Sequence, residues 1–267
     1  MEFESKNIKE LAAGLEWQMK MGADAMVENK IKKLTSKKVE NEIDVEAENI
    51  HEMPSKLNPY DLTFENNNNE TNRKKMEECN TLNQLKKVMQ NFNGCELKKT
   101  ATQLVFSDGN PKSKIMLIGE APGAEEDRQG RPFCGASGQL LDKMLNAIDL
   151  NRESVYITNV LPWRPPGNRT PSDNEIKIMK PFLIKHIEIV MPKILVAVGG
   201  SAAKAVLNIE GGILRHRGTW KEFKLIPGKI IPIIATLHPA YLLRAPNQKK
   251  LAWEDLKLIR SKLNNYV

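Results

Sequence analysis

Four short apolar runs, each leading through a loop into a segment of helical character, limit what this chain can become. They are Ile115–Ile118, Val155–Thr158, Ile194–Val198 and Ile230–Thr236. Each is short and nearly continuous in its apolar character, as a strand buried on both faces must be. The segments that follow read as helices over 138–148, 172–190, 201–208 and 248–263. Strands alternating with helices build a parallel sheet covered on both sides. The sequence therefore predicts an α/β fold of three layers, α/β/α, around a central, mostly parallel four-stranded sheet. In such sheets ligands bind beyond the carboxyl ends of the strands, so function is sought in the loops that leave these four runs.

The first of those loops, Gly119 to Gly138, holds five glycines, a cluster of acids and Phe133 after a proline. It is too acidic for a phosphate cradle and lacks the Lys-Ser/Thr of a P-loop. It suits a neutral polar ring, with a carboxylate at the rim and an aromatic wall. The second run ends in Asn159, whose planar amide offers one acceptor and two donors. That amide reads a base edge or serves an ordinary turn. The loop after it, Leu161–Pro171, is stiffened by prolines and carries Arg164 and Arg169, a form that presents charge to phosphates. The third run ends in Gly199-Gly200-Ser201, where Ser201 opens a helix whose free N–H groups favour an anion. The fourth leads to His238-Pro239. A histidine locked there can donate to a developing oxyanion. Tyr241, Leu242, Leu243 and Arg244 then form an apolar tip beside a cation, the form of a wedge that enters a duplex. Leu242 is the expected plug of the gap, and Leu243 is expected in the core that opens the next helix.

The chain of 267 residues carries +7, unevenly placed. Nine acids against Lys56 give residues 40–70 a charge of −8, leaving +15 on the remainder. A basic body suits a polyanion such as DNA. Residues 1–35 read as an N-terminal helix with no evident partner, and 36–78, acidic and asparagine-rich, as a disordered linker. The folded domain is expected over 79–267. Cys79, Cys95 and Cys134 form no CxxC pair and suit a reducing compartment rather than a disulfide framework. The N-terminus lacks a secretory pattern and no apolar run is long enough to span a bilayer. A cytoplasmic, nucleoid-associated monomer without membrane contact is the expectation.

With these motifs in order, residues 80–263 resemble the uracil-DNA glycosylase superfamily, and most of all its family 4. The first motif, GEAPG with ED and PF after it, stands at 119–133. Thr158-Asn159 and Arg164-Pro-Pro-Gly-Asn-Arg-Thr-Pro171 match the second, and His238 to Arg244 the last. The resemblance implies a hydrolase that removes uracil from DNA and leaves an abasic site, the first step of base excision repair. Phe133 would stack on the flipped base, Asn159 pair with O4 and N3–H, and His238 donate to O2. Gly119, Ala121 and Gly123 would give close backbone approach. Ala121 stands where many relatives outside family 4 have an aspartate, so Glu120 is the expected support of the attacking water or of the cationic sugar. Glu126 would lie near C5 and crowd out a thymine methyl.

Many family 4 enzymes hold a 4Fe–4S cluster on four cysteines. At those positions this chain has Phe92, Cys95, Trp163 and Met179. A cluster needs its full set of thiolates, so no metal or other cofactor is expected, and side-chain packing fills the region. Two rival readings share the fold: a DNA-binding accessory protein without turnover, and an enzyme acting on free deoxynucleotides. The motifs are intact, against the first. The wedge and the basic body favour polymeric DNA, against the second. No basic insertion or histidine lies between Asn159 and Arg169, as a uracil cross-linking relative would require.

Overall fold

The computed structural model describes residues 74–225 and 228–266. The helix expected over 1–35 and most of the linker therefore lie outside the described residues. The linker's last residues do not behave as linker. Residues 74–77 form a helical turn, and Met76 is fully buried. Packing thus begins several residues before Cys79. Its cause is a single long apolar side chain between charged neighbours, too sparse a pattern to read in one dimension.

Helix α1 (Leu82–Asn91) starts at Thr81, whose hydroxyl accepts from the Gln84 N–H while the Gln84 side chain accepts from the Thr81 N–H. This reciprocal box satisfies donors that the first turn would otherwise leave open. A short helix α2 (Leu97–Thr100) follows, then β1 (Asp108–Gly109), β2 (Ile115–Gly119), α3 (Ala124–Gln129), α4 (Ala136–Asn146) and β3 (Tyr156–Asn159). Next come α5 (Asp173–Val190), β4 (Ile194–Val198), α6 (Gly200–Leu207), β5 (Trp220–Leu225), β6 (Lys229–Thr236), α7 (Pro239–Arg244) and α8 (Lys249–Asn264).

The sheet has six strands in the order β1-β3-β2-β4-β6-β5. The four runs read from the sequence are its parallel centre, β3-β2-β4-β6. The four-stranded expectation is corrected at both edges, where β1 and β5 pair antiparallel. Asp108 and Gly109, in a stretch of turn-forming composition, pair with Ile157 and Tyr156. The polar run Trp-Lys-Glu-Phe-Lys-Leu pairs as β5 because an edge strand needs apolar residues on only one face. The acidic loop is also not all loop, since it contains α3, capped at its C-terminus by Gly130 at φ 72°.

Every residue of β2 and β4 is buried. Their alternate residues feed two separate cores. Met116, Ile118, Leu195 and Ala197 pack with α1, α5 and α6, while Ile115, Leu117, Val196 and Val198 pack with α4 and α8. The three layers follow from this division, and all four parallel strands end at one edge of the molecule.

Candidate active site

Parallel register sets the site. Gly119 ends β2 directly beside Asn159 at the end of β3. The chains stay paired beyond the strands, because Val160 and Leu161 donate to the carbonyls of Gly119 and Glu120 at 2.9 and 3.0 Å. Asn159 is 7% exposed. Its side-chain amide takes no hydrogen-bond partner among the described residues. A buried amide of this kind calls for a physical reason, since nearly all such groups are satisfied.

Phe133 stands against the same point. A Cβ built on Gly119 would lie 2.3 Å from Asn159 Oδ1 and 2.6 and 2.7 Å from the Phe133 ring. Only glycine lets the amide and the aromatic face approach across the strand end. Phe133 is buried and has φ of 52°, a left-handed conformation unfavourable for an aromatic residue. Its loop is held from within by Glu126. One carboxylate oxygen accepts from the N–H groups of Cys134 (3.0 Å) and Gly135 (2.9 Å), and the other from Gly123 (3.0 Å). Glu126 thus ties the GEAPG turn to the aromatic wall.

His238 faces Phe133, with ring centroids 5.6 Å apart and planes inclined by 28°. It caps α7, and its Nδ1 accepts from the Ala240 N–H at 3.1 Å. That bond requires an unprotonated Nδ1, so the neutral ring carries its proton on Nε2. Burial, reinforced by Arg244, pushes the imidazole pKa down to about 4, against a smaller upward pull from Glu126. The ring is therefore a neutral donor at physiological pH. Gly199, at φ 98°, lies so close that a Cβ there would be 2.9 Å from the His238 Cβ. The Gly-Gly-Ser turn, read from sequence as an anion site, seats the histidine. Glu120, half-buried next to Gly119, has no side-chain hydrogen bond among the described residues.

Other expected residues fall differently. Leu242 is fully buried in the core beneath α7, so it does not form the wedge. Leu243 is the exposed one, at 47%. The periodicity of a six-residue helix is too short to decide which leucine faces inward. Tyr241 is half-buried and Arg244 exposed. Arg169 is held by Glu175 through two bonds of 2.9 and 2.5 Å, and the arginine holds the Glu175 carboxyl down at about 2. Its charge is matched by a residue in the first turn of α5. Arg164 donates Nε to Asn168 at 2.7 Å. Ser201 lies in the first turn of α6, half-buried.

The four positions of the family's cluster carry one thiol and three apolar side chains. Cys95, Phe92, Trp163 and Met179 are all buried in one core, and Phe92 packs on Phe182 at 4.9 Å between centroids. The Phe92 ring lies 2.4 Å from where a Cβ on Gly94 would stand, so aromatic carbon fills the space beside that loop. Burial raises the Cys95 thiol pKa, which disfavours the thiolate a cluster requires. One thiol and three side chains without thiolates do not make the four-thiolate ligand set of such a cluster. Among the described residues no group of His, Cys, Asp or Glu is placed to bind a metal ion.

A six-stranded sheet with a parallel centre, and an aromatic, an amide and a neutral histidine converging where its strands end, defines a superfamily. The chain belongs to the uracil DNA glycosylase superfamily, whose family model matches residues 106–257. It is similar to the type-4 uracil-DNA glycosylase of Sulfurisphaera tokodaii, 40% identical over 185 residues, covering 67% of this chain and 84% of that protein. The type-4 uracil-DNA glycosylase of Archaeoglobus fulgidus is 41% identical over 169 residues, covering 62% of this chain and 84% of its own. That of Pyrobaculum aerophilum is 38% identical over 181 residues, covering 66% and 92%.

Proposed function

We propose that this chain hydrolyses the N-glycosidic bond of uracil in DNA, leaving an abasic site as the first step of base excision repair. The observation that carries the reading is the Asn159 amide, buried beside Phe133 and without a hydrogen-bond partner among the described residues. Extruded uracil stacks on Phe133, and Asn159 accepts from N3–H and donates to O4. Cytosine presents an acceptor at N3 and a donor at C4, so the same amide rejects it. As the bond between N1 and C1′ stretches, its electron pair stays with the base and the sugar becomes cationic. His238 Nε2–H donates to O2, where the negative charge collects. Water adds to C1′ and passes its proton to the carboxylate of Glu120.

Glu126 shapes the rim near C5, its carboxylate fixed by three amides. Gly119, Ala121 and Gly123 let backbone come close to the base. Arg164, Ser201, Tyr241, Leu243 and Arg244 meet the DNA, Leu243 filling the stack after extrusion. The enzyme works as a monomer without a cofactor. The donor set at the family's cluster positions supports the second point, having one cysteine of four. The test is a single-uracil oligonucleotide, scored for free uracil and for alkali-labile sites. Wild type is expected to produce both, and Asn159→Ala to lose about 2–4 kcal/mol of transition-state stabilisation with its fold intact. Near-normal kcat/KM in that variant would remove Asn159 from base recognition.

A further inference from the structure

Phe133 sits in a conformation that its own backbone disfavours, and something must hold it there. From the inside Glu126 binds the amides that follow it. From the outside a guanidinium binds the carbonyls. Arg152, in the turn before β3, donates Nη2 to the Phe133 carbonyl and Nη1 to the Pro132 carbonyl at 3.2 Å. The same group donates Nη1 to Asp108 at 2.5 Å and Nε to Asp142 at 2.8 Å. Asp108 also receives Arg131 at 3.0 Å. Burial raises the Asp108 pKa, but hydrogen bonds from the two arginines outweigh it and keep the carboxylate charged. Arg152 and Asp108 are each 20% exposed, so this network is poorly screened.

The placement matters more than the count of bonds. Asp108 lies on β1, which pairs with β3 at Ile157. Asp142 lies on α4, and Gly138 of that helix passes under Phe133 so closely that a Cβ would stand 1.7 Å from its carbonyl oxygen. Arg152 itself is seven residues before Asn159 on the same segment. One planar fork therefore joins the aromatic wall to the strand that carries the base-reading amide. We propose that Arg152 is a positioning residue for excision, setting Phe133 against Asn159 by holding the Pro132 and Phe133 carbonyls through the Asp108–Asp142 network. This rests on the uracil-excising function proposed above. Lysine cannot replace it, because a single ammonium does not span two carbonyls and two carboxylates in one plane.

The test is a double-mutant cycle with Phe133→Ala on the full chain, using single-turnover cleavage of the uracil oligonucleotide and thermal melting of each variant. Arg152→Gln and Arg152→Lys are expected to lose about 10–100-fold in kcat/KM, mostly in kcat, as a wall displaced by about 1 Å would. In the Phe133→Ala background the same changes are expected to cost less than about twofold, since the group being positioned is gone. Losses that multiply in the two backgrounds would overturn the inference, as would full activity in folded Arg152→Gln. Should Arg152→Gln fail to melt cooperatively, Asp142→Ala, at the more exposed end of the network, decides by the same cycle. A wild type with no uracil release refutes the functional reading and this inference with it. An active wild type with multiplicative losses refutes the inference alone.

Discussion

Replacing Gly119 with alanine tests the geometry of the site most directly. Gly119 has no left-handed backbone, so the substitution adds one methyl group and no torsional strain. That methyl would stand 2.3 Å from Asn159 Oδ1 and 2.6 Å from the nearest Phe133 ring atom. Carbon atoms pack at about 3.5–4.0 Å, so the ring and the amide must each retreat by about 1 Å. Phe133 has little freedom to do so. It is 5% exposed, and its flanking peptide groups are tied to Glu126 and Arg152. A misplacement of about 1 Å in groups that hold the reacting base costs about 10²-fold, or about 2.7 kcal/mol of barrier. Single-turnover release of uracil from a labelled oligonucleotide measures this directly, with Tm as the control for folding. The expected result is a loss of about two orders of magnitude in rate, with cooperative melting retained. Cleavage within about threefold of wild type would show that the strand end, Phe133 and Asn159 do not together confine the base.

Four other outcomes follow from the structure. Leu242→Ala, which empties a fully buried position, is expected to cost about 2–5 kcal/mol of stability. Leu243→Ala should leave Tm near wild type and reduce cleavage of duplex uracil much more than of single-stranded uracil, because only a duplex has a gap to fill; equal losses on both substrates would place the wedge elsewhere. Purified protein is expected to be colourless and free of iron, and absorbance near 400 nm with about four irons per chain would contradict the packing at Phe92, Trp163 and Met179. His186 is buried against Tyr156, with an Oη–Nε2 distance of 2.7 Å, and burial pushes its pKa down to about 3. Its folded pKa lies below the unfolded one, so the unfolded chain binds the extra proton. Stability from keeping it neutral is complete above about pH 6.5 and falls by about 1.4 kcal/mol per unit as pH drops toward the folded value. Urea unfolding at pH 7.5 and 5 should show His186→Gln losing less stability between the two than wild type does, and parallel losses would remove His186 as the cause.

Much of the architecture is legible in one dimension. Ile115–Ile118 and Ile194–Val198 are apolar at every position, and only a strand covered on both faces uses such a run. Ser172 followed three residues later by Glu175 marks the start of α5, and both halves of that box form. Local signals of this kind act over a few residues, so their geometry is set before the chain is folded. The same holds for the order Asn159, Gly199, His238, since residues at the ends of parallel strands must gather at one edge.

The rest depended on contacts between residues distant in sequence. Which of Leu242 and Leu243 faces the core is settled by how α7 lies on the layer containing α8, and six residues cannot encode that alone. Arg169 carries the same charge as Arg164, but only the fold shows it matched by Glu175. Arg152 has no motif around it. Its partners lie 10, 19, 20 and 44 residues away, a separation at which periodicity carries no information. Glu126, expected near C5 from the family resemblance, also holds three backbone amides, a role its place in an acidic loop does not reveal. The sequence by itself determined the layers and the chemical groups that reach the strand ends. Tertiary structure alone decided their distances and orientations, because those arise from packing between segments that meet only when the sheet has closed.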